Sequence, residues 1–313
     1  MDSDIPAALR DDRLALGTSG LGRATVPGSA GEAVAVTTAR ALLTSRYAAV
    51  DTSNAYSVGR SEAVLGIALR DLGPDAAGRV ITKVDADPRT GALDRDRVFR
   101  SVEESLRRLG VDRVPVLHLH DPYSITFADA MAQGGAVQAL VELREEGVAG
   151  GIGIAAGPVP LVARYVGTGI FDAVLVHNRY TLVDRSAGPL FARAARAGMR
   201  VFNAAPFGAG ILARGSGAGA SYAYRPAPAA LQQWVRRVEA LCGEYRITLP
   251  AAALQFALRA PNVHTTVVGV SSSARLGQLD KLVALRVPDE FWQRLEALPS
   301  APTPIDDSEE SPA

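Results

Sequence analysis

The amino-acid sequence predicts a closed (β/α)8 barrel in a single α/β domain, on three observations. Short apolar runs alternate with amphipathic segments along nearly the whole chain. The runs are almost continuously apolar, as expected of parallel strands covered on both faces. Eight such units fit within about 280 residues, the size of one barrel.

The first run is RLALGTSGL (13–21), followed by the helical pattern AVAVTTARALLTS (33–45). YAAVDTS (47–53) leads into RSEAVLGIALRDL (60–72), and RVITKVD (79–85) into DRVFRSVEESLRRLG (96–110). VPVLHLH (114–120) precedes AVQALVELREEG (136–147). The remaining runs are GGIGIAA (150–156), FDAVLVHN (171–178), RVFNAAP (200–206) and HTTVVGV (264–270). Gly or Asp-Pro punctuates most ends, as helix stops and turns require. An open doubly wound sheet would place Gly-x-Gly-x-x-Gly after its first strand, and GTSGLGR (17–23) has a different spacing.

Residues 1–12 read as an N-terminal extension, 13–298 as the barrel, and the acidic, Pro-rich 299–313 as a disordered tail. The Gly/Ser/Pro-rich ARGSGAGASYAYRPAP (213–228) is too long for a tight connection. It reads either as a lid or cofactor clamp or as plain disorder.

Composition narrows the function classes. Hydrophobic residues make up 48% and charged residues 21%, and 33 basic residues balance 33 acidic ones. No basic excess points to nucleic acid. Glu103 and Arg107 stand four apart, as in a salt-bridged helix face. The one cysteine, Cys242, lies in an apolar helical stretch as a buried thiol and excludes internal disulfides or a cysteine-rich metal site. No metal site is expected. With no signal-peptide pattern and no long apolar run, the expected setting is cytoplasmic, away from membranes.

Barrel chemistry gathers at the carboxyl ends of the strands. There the sequence places Asp51 and Tyr56 (second strand and its loop), Lys83 (third strand), and His118 and His120 (fourth). A free phenol titrates near 10 and handles protons poorly at neutral pH. A nearby ammonium favours the phenolate, and a carboxylate keeps that ammonium charged where burial would discharge it. A histidine can orient the reacting oxygen. Such a relay suits the interconversion of an alcohol and a carbonyl, with the hydride carried by a nicotinamide.

The stretches DTSNAYSVGRSEAVLGIAL, VITKV, HLHDP and VVGVSSSARL together resemble the aldo-keto reductase superfamily, over residues 13 to 297. VHNRYTLVDRSAGPLF (176–191) and NAAPFGAGILARG (203–215) look most like its aldose dehydrogenase branch, which includes D-threo-aldose (L-fucose) 1-dehydrogenases and L-galactose dehydrogenases, with pyridoxal 4-dehydrogenases nearby. The resemblance implies that Tyr56 is the general acid/base, tuned by Lys83 and Asp51. It implies that His120, directly before Asp-Pro, orients the substrate, and that His118 packs inside the barrel.

The resemblance also implies an extended NAD or NADP bound without a Rossmann turn. Its adenosine end would lie on Gly269, Ser271, Ser272 and Arg275, and its pyrophosphate under Pro206, Phe207, Gly208, Gly210 and Leu212. Thr18, Ser19, His177 and Asn178 complete the expected contacts. Gly269 stands where many NADPH-specific members carry Lys, which favours NAD. Ala155, Ala156 and Ala204 replace the Ser-Asn pair and the stacking tyrosine of many relatives.

The leading expectation is oxidation of an aldose such as L-fucose or L-galactose to a lactone. Asn54, Tyr123 and Phe207, which follow strand ends, line the expected substrate pocket. The alternatives are a broad NADPH-dependent carbonyl reductase, a pyridoxal 4-dehydrogenase, or a cofactor-binding regulatory barrel of low turnover. The sugar, the direction and the oligomeric state stay open.

Overall fold

The structure is a computed structural model describing residues 13–47, 49–303 and 305–307. The extension 1–12 lies outside the described residues.

In chain order the elements are β1 (Leu14–Gly17), α1 (Ala30–Leu43), β2 (Ala49–Asp51), α2 (Arg60–Leu72), α3 (Pro74–Ala77), β3 (Val80–Val84), α4 (Arg95–Leu109) and β4 (Leu117–His120). Then follow α5 (Phe127–Met131), α6 (Ala136–Glu145), β5 (Ile152–Ala156), α7 (Val159–Val166), β6 (Ala173–His177), α8 (Gly188–Arg196) and β7 (Arg200–Ala204). The chain continues through α9 (Ile211–Arg214), β8 (Ser221–Tyr222), β9 (Arg225–Pro226), α10 (Ala229–Glu244), α11 (Leu249–Leu258), β10 (Thr265–Gly269), α12 (Ser273–Ala284) and α13 (Asp289–Glu296).

Eight parallel strands close in the order β1-β10-β7-β6-β5-β4-β3-β2, so the predicted barrel is the observed one. Each predicted run holds one of these strands. The outward residues pack under the helices, and the inward ones fill the barrel with small side chains: Ala15, Ala49, Ala155 and Ala173 around Ile81 and Phe202. That economy of volume leaves room for Lys83 and His118, both fully buried inside. Gly153 is part of it, since a Cβ there would lie 2.2 Å from His118 Nδ1.

The helices obey local rules. Asp94 caps α4 by accepting from the Arg97 N–H, and Gly110 ends it at φ 71°. Gly66 lets α2 meet α4, because a Cβ there would sit 1.9 Å from the Arg108 carbonyl oxygen. The ion pair along α4 is Glu104–Arg108 at 3.7 Å, one residue on from the expected Glu103–Arg107. It faces inward because Arg108 also reaches the buried Glu62 at 3.0 Å. No helix among the described residues is long and apolar enough to cross a membrane.

Two segments are more ordered than their composition implies. The 213–228 loop folds into the β8–β9 hairpin, pinned by buried Tyr222, whose hydroxyl donates to the Asn178 carbonyl at 2.8 Å. The tail, expected to be disordered, packs over its described part. Trp234 Nε1 donates to the Pro299 carbonyl at 2.7 Å, and Asp307 accepts from Arg179 Nε at 3.0 Å and from the Val159 N–H at 2.9 Å. A buried guanidinium needs an anion, and Asp307 supplies it. Residues 304 and 308–313 lie outside the described residues.

Candidate active site

The strand ends turn outward sharply at the mouth. The residues directly after β4, β6 and β7 take left-handed conformations: Asp121 (φ 40°), Asn178 (φ 60°) and Ala205 (φ 56°). Strained non-glycine backbone of this kind gathers at functional sites.

Below that rim the four predicted residues meet. The Lys83 ammonium donates to Asp51 Oδ2 at 2.8 Å, to the Thr52 carbonyl at 2.6 Å and to the Tyr56 hydroxyl at 3.2 Å. It also lies 4.5 Å from the Tyr56 ring centroid. Burial alone would discharge this amine, but Asp51 and Tyr56 reverse that and hold its pKa above the ordinary lysine range. The phenol departs from expectation. Burial pushes Tyr56 up to about 12, with Asp51 and Asp85 adding to the rise and Lys83 only partly opposing it. The resting hydroxyl is therefore neutral rather than acidified, because desolvation and two carboxylates outweigh one ammonium.

His120 packs edge-on against Tyr56, with ring centroids 5.6 Å apart. Its Nδ1 lies 2.6 Å from Asp85 Oδ1 and 3.2 Å from Ser53 Oγ, and its Nε2 is 3.7 Å from Asp121 Oδ2. Sequence reasoning missed Asp85, although a visible signal pointed to it. Asp85 stands two residues after Lys83, on the same strand face. Asp121 was missed too; it lies between His120 and His177, with His177 Nε2 at 3.4 Å. Burial would raise its pKa, but the bond to His177 and the charge of His120 bring it down to about 2. His118 packs inside as expected, edge-on to Phe202 at 5.7 Å. Burial lowers its pKa, so it stays neutral.

The Tyr56 loop is braced from behind. Asn54, an expected pocket residue, instead turns into this brace. Its Nδ2 donates to the Ser101 carbonyl, to Glu104 and to Ser105, and its Oδ1 accepts from Arg97 Nη2 at 3.1 Å. Its polar atoms are fully used beneath the loop.

Tyr56 and His120 open onto a cavity of about 460 Å³. Of the expected cofactor contacts, Ser19, His177, Pro206, Phe207, Gly210 and Gly269 line it. Others sit elsewhere. Thr18 is buried and donates to the Asp51 carbonyl at 2.8 Å, with Ser61 Oγ also at 2.8 Å. Leu212 and Asn178 are fully buried. The conformational freedom of Gly208 and Gly210 serves the hairpin rather than an open approach. A Cβ would lie 2.4 Å from the Tyr222 ring at Gly208, and 2.3 Å from Ser221 Oγ at Gly210.

Ser272 caps α12 by accepting from the Arg275 N–H, and neither it, Ser271 nor Arg275 lines the cavity. Ala155 and Ala156 are buried outside the lining, whereas Ala204 borders it. Tyr123 lies outside the lining and accepts from the Gly157 N–H at 3.0 Å. Tyr224, from the β8–β9 turn, brings an exposed aromatic to the rim beside His177. The lining fits a flat cationic ring and its phosphates moderately well. Arg214 supplies a cation and Gly269 supplies open backbone.

Comparison with known proteins gives the family. A family model for the aldo/keto reductase family matches residues 13–299. Pyridoxal 4-dehydrogenase of Microbacterium luteolum is 31% identical, covering 91% of this chain and 93% of that protein. D-threo-aldose 1-dehydrogenase of a Pseudomonas species is 32% identical, over 81% of this chain and 84% of that protein. The solved holo structure of an aldo-keto reductase from Bacillus halodurans shares the fold with a TM-score of 0.74, at 23% identity and 95% coverage of each chain. A closed barrel with Asp, Tyr, Lys and His gathered at its mouth thus coincides with a family match over nearly its whole length: the chain is an oxidoreductase belonging to the aldo/keto reductase family.

Proposed function

We propose that this protein oxidises the anomeric carbon of an aldose to a lactone with a nicotinamide cofactor, NAD being favoured. The observation that carries the substrate class is Asp121. It is an ionised carboxylate bordering the cavity beside the reacting groups, with its side chain 35% exposed. A fixed acceptor of this kind suits a polyhydroxylated substrate and repels anionic ones. The aldose dehydrogenase relative supports the same reading.

When bound, the cofactor supplies the acceptor for the hydride leaving C1. The chain does the rest. Tyr56, in the ionised form that is a minor fraction at rest, receives the proton of the anomeric hydroxyl as the C1–O bond becomes a carbonyl. Lys83, held charged by Asp51, stabilises the Tyr56 phenolate that takes up the proton. His120 holds the same substrate oxygen through Nε2, and Asp121 and His177 grip neighbouring hydroxyls. Gly269 leaves no cation for a 2′-phosphate, which is why NAD is favoured.

A second reading rests on the aromatics. Tyr224 and Phe207 border the cavity and suit a pyridine ring, in keeping with the pyridoxal 4-dehydrogenase relative. A panel of aldoses, pyridoxal and simple aldehydes, run with NAD and NADP at 340 nm, separates the readings. Aldose turnover with NAD is expected; turnover of pyridoxal alone selects the second reading. Tyr56→Phe is expected to cut turnover by about 10²–10⁴ while cofactor binding persists. Rates like those of the unaltered protein would remove Tyr56 from the reaction.

A further inference from the structure

The β8–β9 hairpin turns through Ala223 and Tyr224, and both take positive φ, 47° and 67°. Two left-handed residues in a two-residue loop mark a type I′ turn. Such a turn favours Asn-Gly or Gly-Gly, because a Cβ crowds the backbone there. This chain supplies alanine and tyrosine instead. The conformation is imposed from outside the turn. The Tyr222 hydroxyl donates to the Asn178 carbonyl at 2.8 Å, and the Ala223 N–H to the Gly208 carbonyl at 3.0 Å. Ser221 Oγ donates to the Ala209 carbonyl at 3.3 Å. None of these anchors uses the Tyr224 side chain.

That side chain is 75% exposed, so it adds little to the core. Of the large apolar side chains exposed among the described residues, it is the one that borders the cavity. There its ring stands edge-on to His177, with centroids 6.4 Å apart. His177 Nε2 lies 3.4 Å from Asp121, and Asp121 lies 3.7 Å from His120 Nε2. Tyr224 is therefore the outer end of a row that leads inward to the reacting groups. A residue that strains its backbone and packs against little is explained by what its ring can touch.

We infer that Tyr224 is a specificity-determining residue: its ring forms the outer wall of the substrate site and selects ring-shaped substrates, a pyranose or a pyridine, over short acyclic carbonyls. One face of a pyranose carries C–H groups, and its edge carries hydroxyls. The face packs on an aromatic ring and leaves water, while the hydroxyls turn to Asp121 and His177. A pyridine stacks on the same ring. A short acyclic carbonyl held at Tyr56 and His120 has no atoms to place at the far end of the row. The class of substrate rests on the function proposed above; the strained turn does not.

The inference puts opposite signs on stability and binding. Tyr224→Gly suits the turn and removes the ring, so its Tm should equal or exceed that of the unaltered protein. Its KM for an aldose or pyridoxal should rise about tenfold. Values of kcat, NADH affinity by fluorescence titration and KM for propanal should stay within about twofold, as expected when only ground-state binding of the ring is lost. Tyr224→Phe keeps the ring and should keep KM.

A lowered Tm in Tyr224→Gly means that the side chain holds the hairpin, and overturns the inference. Weaker NADH binding, or an equal rise in KM for propanal, overturns it too, since the ring would then serve the cofactor or the mouth as a whole. Unchanged KM for ring substrates that the protein does turn over overturns the inference and leaves the proposed function standing. Turnover of pyridoxal but of no aldose, with the tenfold effect on pyridoxal, counts against the aldose reading alone. A protein that turns over no ring substrate overturns both.

Discussion

The Tyr56 hydroxyl lies 3.2 Å from the Lys83 ammonium, which is held more tightly by Asp51 at 2.8 Å and the Thr52 carbonyl at 2.6 Å. The ammonium thus has three acceptors around it, matching its three hydrogens. Its charge is anchored to the barrel and shared with the phenol.

That anchoring makes Asp51 a stability residue as well as a site residue. Asp51→Asn leaves an ammonium buried at 1% exposure without its counter-charge. Loss of one partner of a buried pair costs about 3–5 kcal/mol. Urea unfolding should register a decrease of that size, and a change below about 1 kcal/mol would mean that Thr52 and Tyr56 suffice.

The neutral phenol sets the pH dependence. Alcohol oxidation needs Tyr56 able to accept a proton, and its pKa stands at about 12. The ionised fraction therefore grows with pH throughout the accessible range. Oxidation rates should climb from about pH 7 to about pH 10 with no plateau, while carbonyl reduction, which uses the protonated form, stays level over the lower part of that range. A plateau in oxidation by about pH 8 would show that bound ligands acidify the phenol.

Cofactor choice can be rewritten at one position. A Cβ on Gly269 meets nothing within 4 Å, and the residue borders the cavity. Gly269→Lys places an ammonium at the strand end at no packing cost. The ratio of kcat/KM for NADP over NAD should rise by at least about tenfold. An unchanged ratio would place the 2′ position elsewhere.

Inside the barrel, Gly153→Ala drives a methyl to 2.2 Å from the His118 ring. The ring is fully buried and cannot swing clear. Overpacking of this kind costs about 1–3 kcal/mol, measurable as a lowered Tm in calorimetry. No change would mean that the β4–β5 pair slides apart freely.

The barrel was legible because near-continuous apolar runs mark parallel strands covered on both faces, and eight of them without a Gly-x-Gly-x-x-Gly turn favour closure over an open doubly wound sheet. The meeting of Asp51, Tyr56, Lys83 and His120 was legible for a related reason: barrel topology sends every strand end to one face. The supporting residues were harder. Thr18 and Asn54 are polar residues beside strand ends, as site residues are, and only their partners Ser61, Arg97 and Glu104 reveal them as braces. Burial, the largest influence on the Tyr56 phenol, has no sequence signature. In the described part of the tail, the pairing of Asp307 with Arg179 is a contact that composition does not show.

The seclusion of Lys83 has a practical corollary. The chain contains one other lysine, Lys281, exposed on α12. Amine-directed fluorophores or resin couplings therefore have Lys281 as their one exposed lysine target, and enzyme immobilised through it would be tethered by that helix. Slow labelling at Lys83 would then serve as a clock for how often the barrel mouth breathes.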